Sequence, residues 1–174
     1  MKTNISYLLI FLILTLFSCG QSTTSAQRSA KVEGLNIEPF EVTILNSDYS
    51  MAYSLLTILT NHDLKIVFKG GLVGEKDSIL FSKSLGPSDT LQQISNIKLD
   101  SLKGYYSNDC ISDGSQLSIT LKKNGKEKSV HLSNFYQDDV GKIIYLVNSL
   151  VIEKYRIWYD KEKLIADYKR CIGN

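Results

Sequence analysis

Residues 115–151, SQLSITLKKNGKEKSVHLSNFYQDDVGKIIYLVNSLV, decide how this chain folds. Asn124-Gly125 is the two-residue signal of a type I′ hairpin, because both central positions of that turn need φ > 0. The loop length fixes the register. Leu121 then faces Lys128, Ile119 faces Val130 and Leu117 faces Leu132. On the other face Lys122 meets Glu127, Thr120 meets Ser129 and Ser118 meets His131. One register therefore gathers nearly every apolar side chain on a single face and sets an opposite-charge pair on the other. Tyr136, Val140, Ile143, Ile144, Val147, Leu150 and Val151 follow at the spacing of a helix with one apolar stripe, a ready lid for that face. Gln137, Asp138 and Asp139 sit in its first turn, where the helix dipole favours negative charge. Gly141 inside it costs about 1 kcal/mol relative to Ala and marks a close approach, expected to be to the sheet.

Upstream of this unit the pattern is strand-rich. Phe40, Val42 and Ile44 alternate with polar residues. Met51–Thr60 and Leu64–Phe68 read as a second hairpin about an Asn61-His62-Asp63 loop of three residues or close to it. Gly70-Gly71 ends that strand, and Ser78–Ser82 is a further short one. Asp89 reads as the N-cap of a helix, with Gln92 completing a capping box, a stripe of Leu91, Ile94, Lys98 and Leu102, and Gly104 at C′. Tyr105–Cys110 is a short strand or a loop. Downstream, Tyr155–Tyr159 (YRIWY) alternates as a further strand would. Asp160 caps a last helix whose Leu164, Tyr168 and Cys171 share a face. The expected class is α+β: an antiparallel sheet built from hairpins, with helices packed on one face in hairpin-helix-hairpin-helix order. Over roughly residues 50–151 this order loosely resembles small secreted bacterial domains of unknown function, with no motif that transfers a role.

The chain opens with Lys2 and an apolar run from Ile5 to Phe17, shorter than the roughly 20 residues of a comfortable membrane span and of the length of a signal-peptide core. It closes on Leu16-Phe17-Ser18-Cys19-Gly20, and Leu16, Ser18 and Cys19 resemble the lipobox of bacterial lipoproteins. That resemblance implies cleavage before Cys19, acylation of Cys19 with diacylglycerol and an amide-linked chain such as palmitate, and anchorage in the lipid bilayer. Gly20 after the cysteine implies the outer membrane, facing the periplasm. An ordinary leader cut near Ser25-Ala26-Gln27 is the alternative, and an uncleaved anchor a further one. Gln21–Lys31 has no apolar periodicity and reads as a tether. Cys19 to Asn36 reaches about 60 Å at full stretch. The expected organisation is a signal peptide over 1–18, a lipidated Cys19 and tether over 19–36, and one α+β domain over 37–174.

Export sets the remaining cysteines, Cys110 and Cys171, in an oxidising compartment, where an even pair reads as a disulfide. Two separate thiols are the alternative. A formal charge of +2 with lysines scattered among acids gives no case for nucleic acid. His62 and His131 have no partners at metal-ligand spacing, and no Gly-x-Ser-x-Gly elbow is present. Asp109–Gly114 lacks the alternating oxygen ligands of a calcium loop. Gly70-Gly71-x-x-Gly74 follows a strand without opening a helix, so a turn is the better reading than a phosphate loop. No catalytic residue, metal or cofactor is expected. Tyr105, Tyr106, Tyr155, Trp158 and Tyr159 are candidates for a ligand-binding aromatic face, although aromatics at strand positions are more often core or cross-strand pairs. The sequence thus favours a lipid-anchored, non-enzymatic module that binds an envelope protein or peptide, by an exposed sheet edge among other routes. A glycan- or small-ligand-binding lipoprotein is the second reading. A hydrolase, which would need His62 or His131 beside an acid or nucleophile, is the third.

Overall fold

Asn124 and Gly125 adopt φ of 52° and 71°, both positive as a type I′ turn requires. They join β6 (Ser115–Lys123) to β7 (Lys126–Ser133) in the register expected from the sequence, with Ile119 opposite Val130 and Lys122 opposite Glu127. The computed structural model describes residues 35–48 and 53–173. The leader, Cys19, the tether up to residue 34 and the start of the Met51–Thr60 segment lie outside them.

Among the described residues seven strands form one sheet. β1 (Phe40–Asp48), β2 (Tyr53–Thr60), β3 (Asp63–Gly70) and β4 (Ser78–Ser84) run as an antiparallel meander, and β5 (Tyr105–Ser107) lies parallel to β7. The spatial order is β4-β3-β2-β1-β6-β7-β5, so the two hairpin systems meet where β1 pairs with β6. The β2–β3 loop is two residues, Asn61-His62, rather than three. Thr60 Oγ1 accepts the N–H groups of His62 and Asp63 at 3.2 and 3.0 Å and closes the turn one residue early.

Alternate residues of the central strands point to one face: Val42 and Ile44, Leu59, Leu64 and Ile66, Leu117, Ile119 and Leu121, Val130 and Leu132. They join Leu91 and Ile94 of α1 (Asp89–Asn96) and Val140, Ile143, Ile144 and Val147 of α2 (Asp138–Leu150) in one apolar cluster. Each such side chain contributes about 1.5–3 kcal/mol by leaving water. α2 covers this face as expected. Its N-cap is Gln137, whose Oε1 accepts from Val140 N at 2.8 Å. Gly141 meets not the sheet but the ring of Tyr136; a Cβ there would collide with that hydroxyl.

Two helix boundaries differ from expectation. The α1 cap is Ser88, whose Oγ accepts from Leu91 N at 3.3 Å, and Asp89 is the first helical residue. The helix ends at Asn96, well short of Gly104, because Ile97 turns extended with its N–H on the Ile94 carbonyl. The YRIWY segment forms no strand. Glu153–Tyr155 is a 3-10 turn, and the extended residues after it pair with a helix side chain instead of a ladder. Asn148 of α2 accepts from Ile157 N and donates to Ile157 O, both at 2.8 Å, one amide doing what a neighbouring strand would do. α3 (Lys161–Ile172) is capped by Asp160 as expected and buries only Leu164.

Cys110 and Cys171 form a disulfide, with Cα atoms 5.6 Å apart. The bridge ties α3 to the turn between β5 and β6. Closing a loop of this length stabilises by about 4 kcal/mol in the chain-entropy account.

Candidate functional site

The face of the sheet turned away from α1 and α2 carries a register row that crosses all seven strands: Tyr105, His131, Ser118, Leu45, Leu56, Val67 and Ile79. Its composition changes at β1. From β5 to β6 it is polar or aromatic; from β1 to β4 it is aliphatic, and Ile58 on β2 widens the aliphatic part. Leu45, Leu56, Ile58 and Val67 are partly exposed and Ile79 is 63% exposed. Four strands at the usual spacing make this apolar strip about 14 Å wide.

The strip emerges at a free edge. β4 is exposed along nearly its whole length, and its other neighbour position in the sheet is empty of strand among the described residues. A register shift between Ile66 and Val67 leaves Leu80 as a bulge residue, and its carbonyl accepts from Tyr155 Oη at 3.3 Å. The adjoining 71–77 loop projects Leu72 and Val73, 62% and 108% exposed. Glu75 and the Lys69–Asp77 ion pair close this loop on β3, Glu75 accepting from Leu72 N. Gly70 and Gly71, read from sequence as a turn, serve that turn.

The sequence-nominated aromatics do not share one surface. Tyr106 stacks on Phe135 at 5.3 Å between ring centroids, and its hydroxyl accepts from Lys103 N. Tyr155 packs on Phe81 behind β4. Tyr159 stacks on Tyr136, and its hydroxyl accepts from Gln137 N at 2.8 Å and donates to Phe135 O at 3.1 Å. Burial pushes that phenol well above its ordinary value. These three serve packing. Tyr105 stands 59% exposed on β5, and Trp158, 51% exposed, lines a separate cleft beside α3.

His131 is exposed on β7, and its Nδ1 shares a hydrogen bond with Ser118 Oγ at 2.7 Å. His62 bonds Asn61 in the β2–β3 turn. Neither imidazole meets a carboxylate among the described residues, so the Ser118–His131 contact is a cross-strand pair on open sheet without the acid that would orient a base. Among the described residues no three His, Cys, Asp or Glu side chains gather as a metal ion would need, and no helix is long and apolar enough to cross a membrane.

The aliphatic strip was missed in the sequence. Its residues alternate with core residues, so β2 reads as near-continuously apolar, LLTIL, Leu45 simply follows core Ile44, and the outward half is hidden among the inward half. The signal available was that two-sided apolarity itself. Compared with known proteins, the chain matches no family model and no curated sequence.

Proposed function

We propose that the protein is an envelope lipoprotein that works by binding, and that its partner is an extended segment of another envelope protein laid along β4. Acylated Cys19 holds it on the outer membrane, and the tether lets the folded part stand off into the periplasm. The observation that carries the reading is the aliphatic strip ending at the β4 edge. An added strand would pair with β4's outward backbone groups and set alternate side chains beside Ile79, extending the strip that runs back through Val67 and Leu56. Main-chain bonds would supply affinity and the strip would supply selectivity.

A photo-crosslinking residue at position 79 tests this against the same residue at position 105, at the far end of the same row. A discrete adduct from 79, absent from 105 and weakened in Val67→Lys on the neighbouring strand, supports the edge as the docking site. Equal labelling, or none from 79, overturns it. An adduct of twice the chain's own mass would make the occupant a second copy. For the anchor, the mature N-terminus should carry diacylglyceryl and acyl mass on Cys19, and Cys19→Ser should leave the leader uncut. An unmodified mature terminus would overturn that part alone.

A further inference from the structure

We infer a second, independent binding site in the cleft beside α3, shaped for a neutral saccharide. The cleft has a volume of about 680 Å³ and lies between the end of the sheet and the C-terminal segment. Leu55 and Leu164 give it apolar surface, and Trp158 stands in its wall half exposed. Asp113 and Asp167 supply carboxylates, and Lys154 and Lys163 supply ammonium groups. Lys163 Nζ lies 5.7 Å from the Trp158 ring centre and bonds Asp167 at 3.1 Å. Arg170 is the second donor to Asp167, whose side chain is only 11% exposed and therefore held in place. The hydrogen bond from Lys163 and the two nearby cations keep that carboxyl below its ordinary value, so it is an acceptor at neutral pH.

The balance of these groups selects the ligand class. Among the lining residues two cations face two anions, so neither a strongly acidic nor a strongly basic ligand finds a matched field. Four charged groups about a cleft also cost too much to desolvate for a purely apolar ligand. A sugar ring suits both parts. Its C–H face lies against an indole, and its hydroxyls both donate to carboxylates and accept from ammonium groups. The wall opposite α3 is the turn that carries Asp113 and Gly114. That turn is held by Asn134, a residue at φ 51° that is 5% exposed and whose amide donates to Ile111 O and Asp113 O at 3.4 and 3.1 Å. Gly114, at φ 120°, leaves room for that amide. The Cys110–Cys171 disulfide ties α3 to the segment that leads into that turn.

Trp158 is the sole tryptophan, so its fluorescence reports this cleft alone. The full chain, in a detergent without a sugar headgroup, is titrated with neutral gluco- and N-acetylglucosamine oligosaccharides of three to six units. The expected result is a saturable blue shift with at least one series. Calorimetry should then show binding weakened about tenfold or more in both Trp158→Ala and Asp167→Asn, partly kept in Trp158→Phe, and unchanged in Ile79→Lys. Unaltered circular dichroism of each variant separates lost contact from lost fold. No saturable shift with any neutral series overturns the inference. So does binding confined to anionic sugars and abolished by salt, or binding that survives Trp158→Ala. None of these outcomes bears on the β4 edge.

Discussion

The two edges of the sheet are built in opposite ways. β5 is three residues long and fixed from several sides. Tyr106 stacks on Phe135, Phe135 meets Tyr168 of α3 edge-on at 5.0 Å, Asn108 N bonds Ser133 O, and the disulfide sits three residues beyond the strand. β4 is seven residues long, carries Ile79 and Leu80 outward, and has the Tyr155 hydroxyl and the Phe81 ring behind it. Natural sheets blunt exposed edges with short strands, charges, bulges or covers. β5 uses shortness and cover. β4 has a bulge at Leu80 and one charge, Lys83, near its end. The contrast teaches that one edge is closed by short length and cover, while the other is left open along most of its length, which is what the proposed partner would need.

The contrast can be broken most strongly at β5. Replacing Cys110 and Cys171 by Ser should lower unfolding stability by about 3–4 kcal/mol in urea titration, with little change at β4 in hydrogen exchange. Phe135→Ala removes the ring between Tyr106 and Tyr168 and should cost about 2–3 kcal/mol. The matching change on the other edge, Ile79→Lys, should leave stability within about 0.5 kcal/mol while abolishing the position-79 adduct's partner when the crosslinker is moved to position 72. A loss above about 2 kcal/mol there would show that β4 is a structural edge like β5.

Acid sharpens the difference on the β5 side. The Asp167 carboxyl titrates below its ordinary value in the folded protein, chiefly through its bond from Lys163. A depressed pKa stabilises above the unfolded value and loses that contribution as pH falls through the folded one. Amide protection in α3 should therefore be constant at neutral pH and weaken below the ordinary carboxylate range. In Asp167→Asn that decline should flatten. An Asp167 resonance that titrates at or above the ordinary value would contradict this.

What could be read from the residues was local. Asn124-Gly125 fixes a register through loop length, so six cross-strand pairs follow from two residues. Asp160 and the apolar stripe of α2 are likewise local. What could not be read depends on distant segments. Nothing in Phe40–Asp48 states that it pairs with β6, and nothing in Tyr105–Ser107 states that its neighbour runs parallel. The YRIWY alternation correctly separates inward Tyr155, Ile157 and Tyr159 from outward Arg156 and Trp158. It cannot tell that Asn148 replaces the partner strand. For the candidate site, Trp158 is visible in the sequence as an aromatic. Asp167 is hidden, since Lys-Glu-Lys and Asp-Tyr-Lys-Arg look like any solvated helix.

The bridge between Cys110 and Cys171 spans 61 positions. It turns β6, β7, α2 and α3 into a covalent ring. A protease that nicks the chain once anywhere inside that ring leaves a single molecule on a non-reducing gel, and both ends of the cut stay attached to the body. A nick in the exposed 71–77 loop lies outside the ring and parts the chain into two, with no covalent link between the pieces and only the β1–β6 and β3–β4 ladders and the shared core to hold them together. Damage is therefore tolerated unequally, and the vulnerable place is the one that borders the open edge.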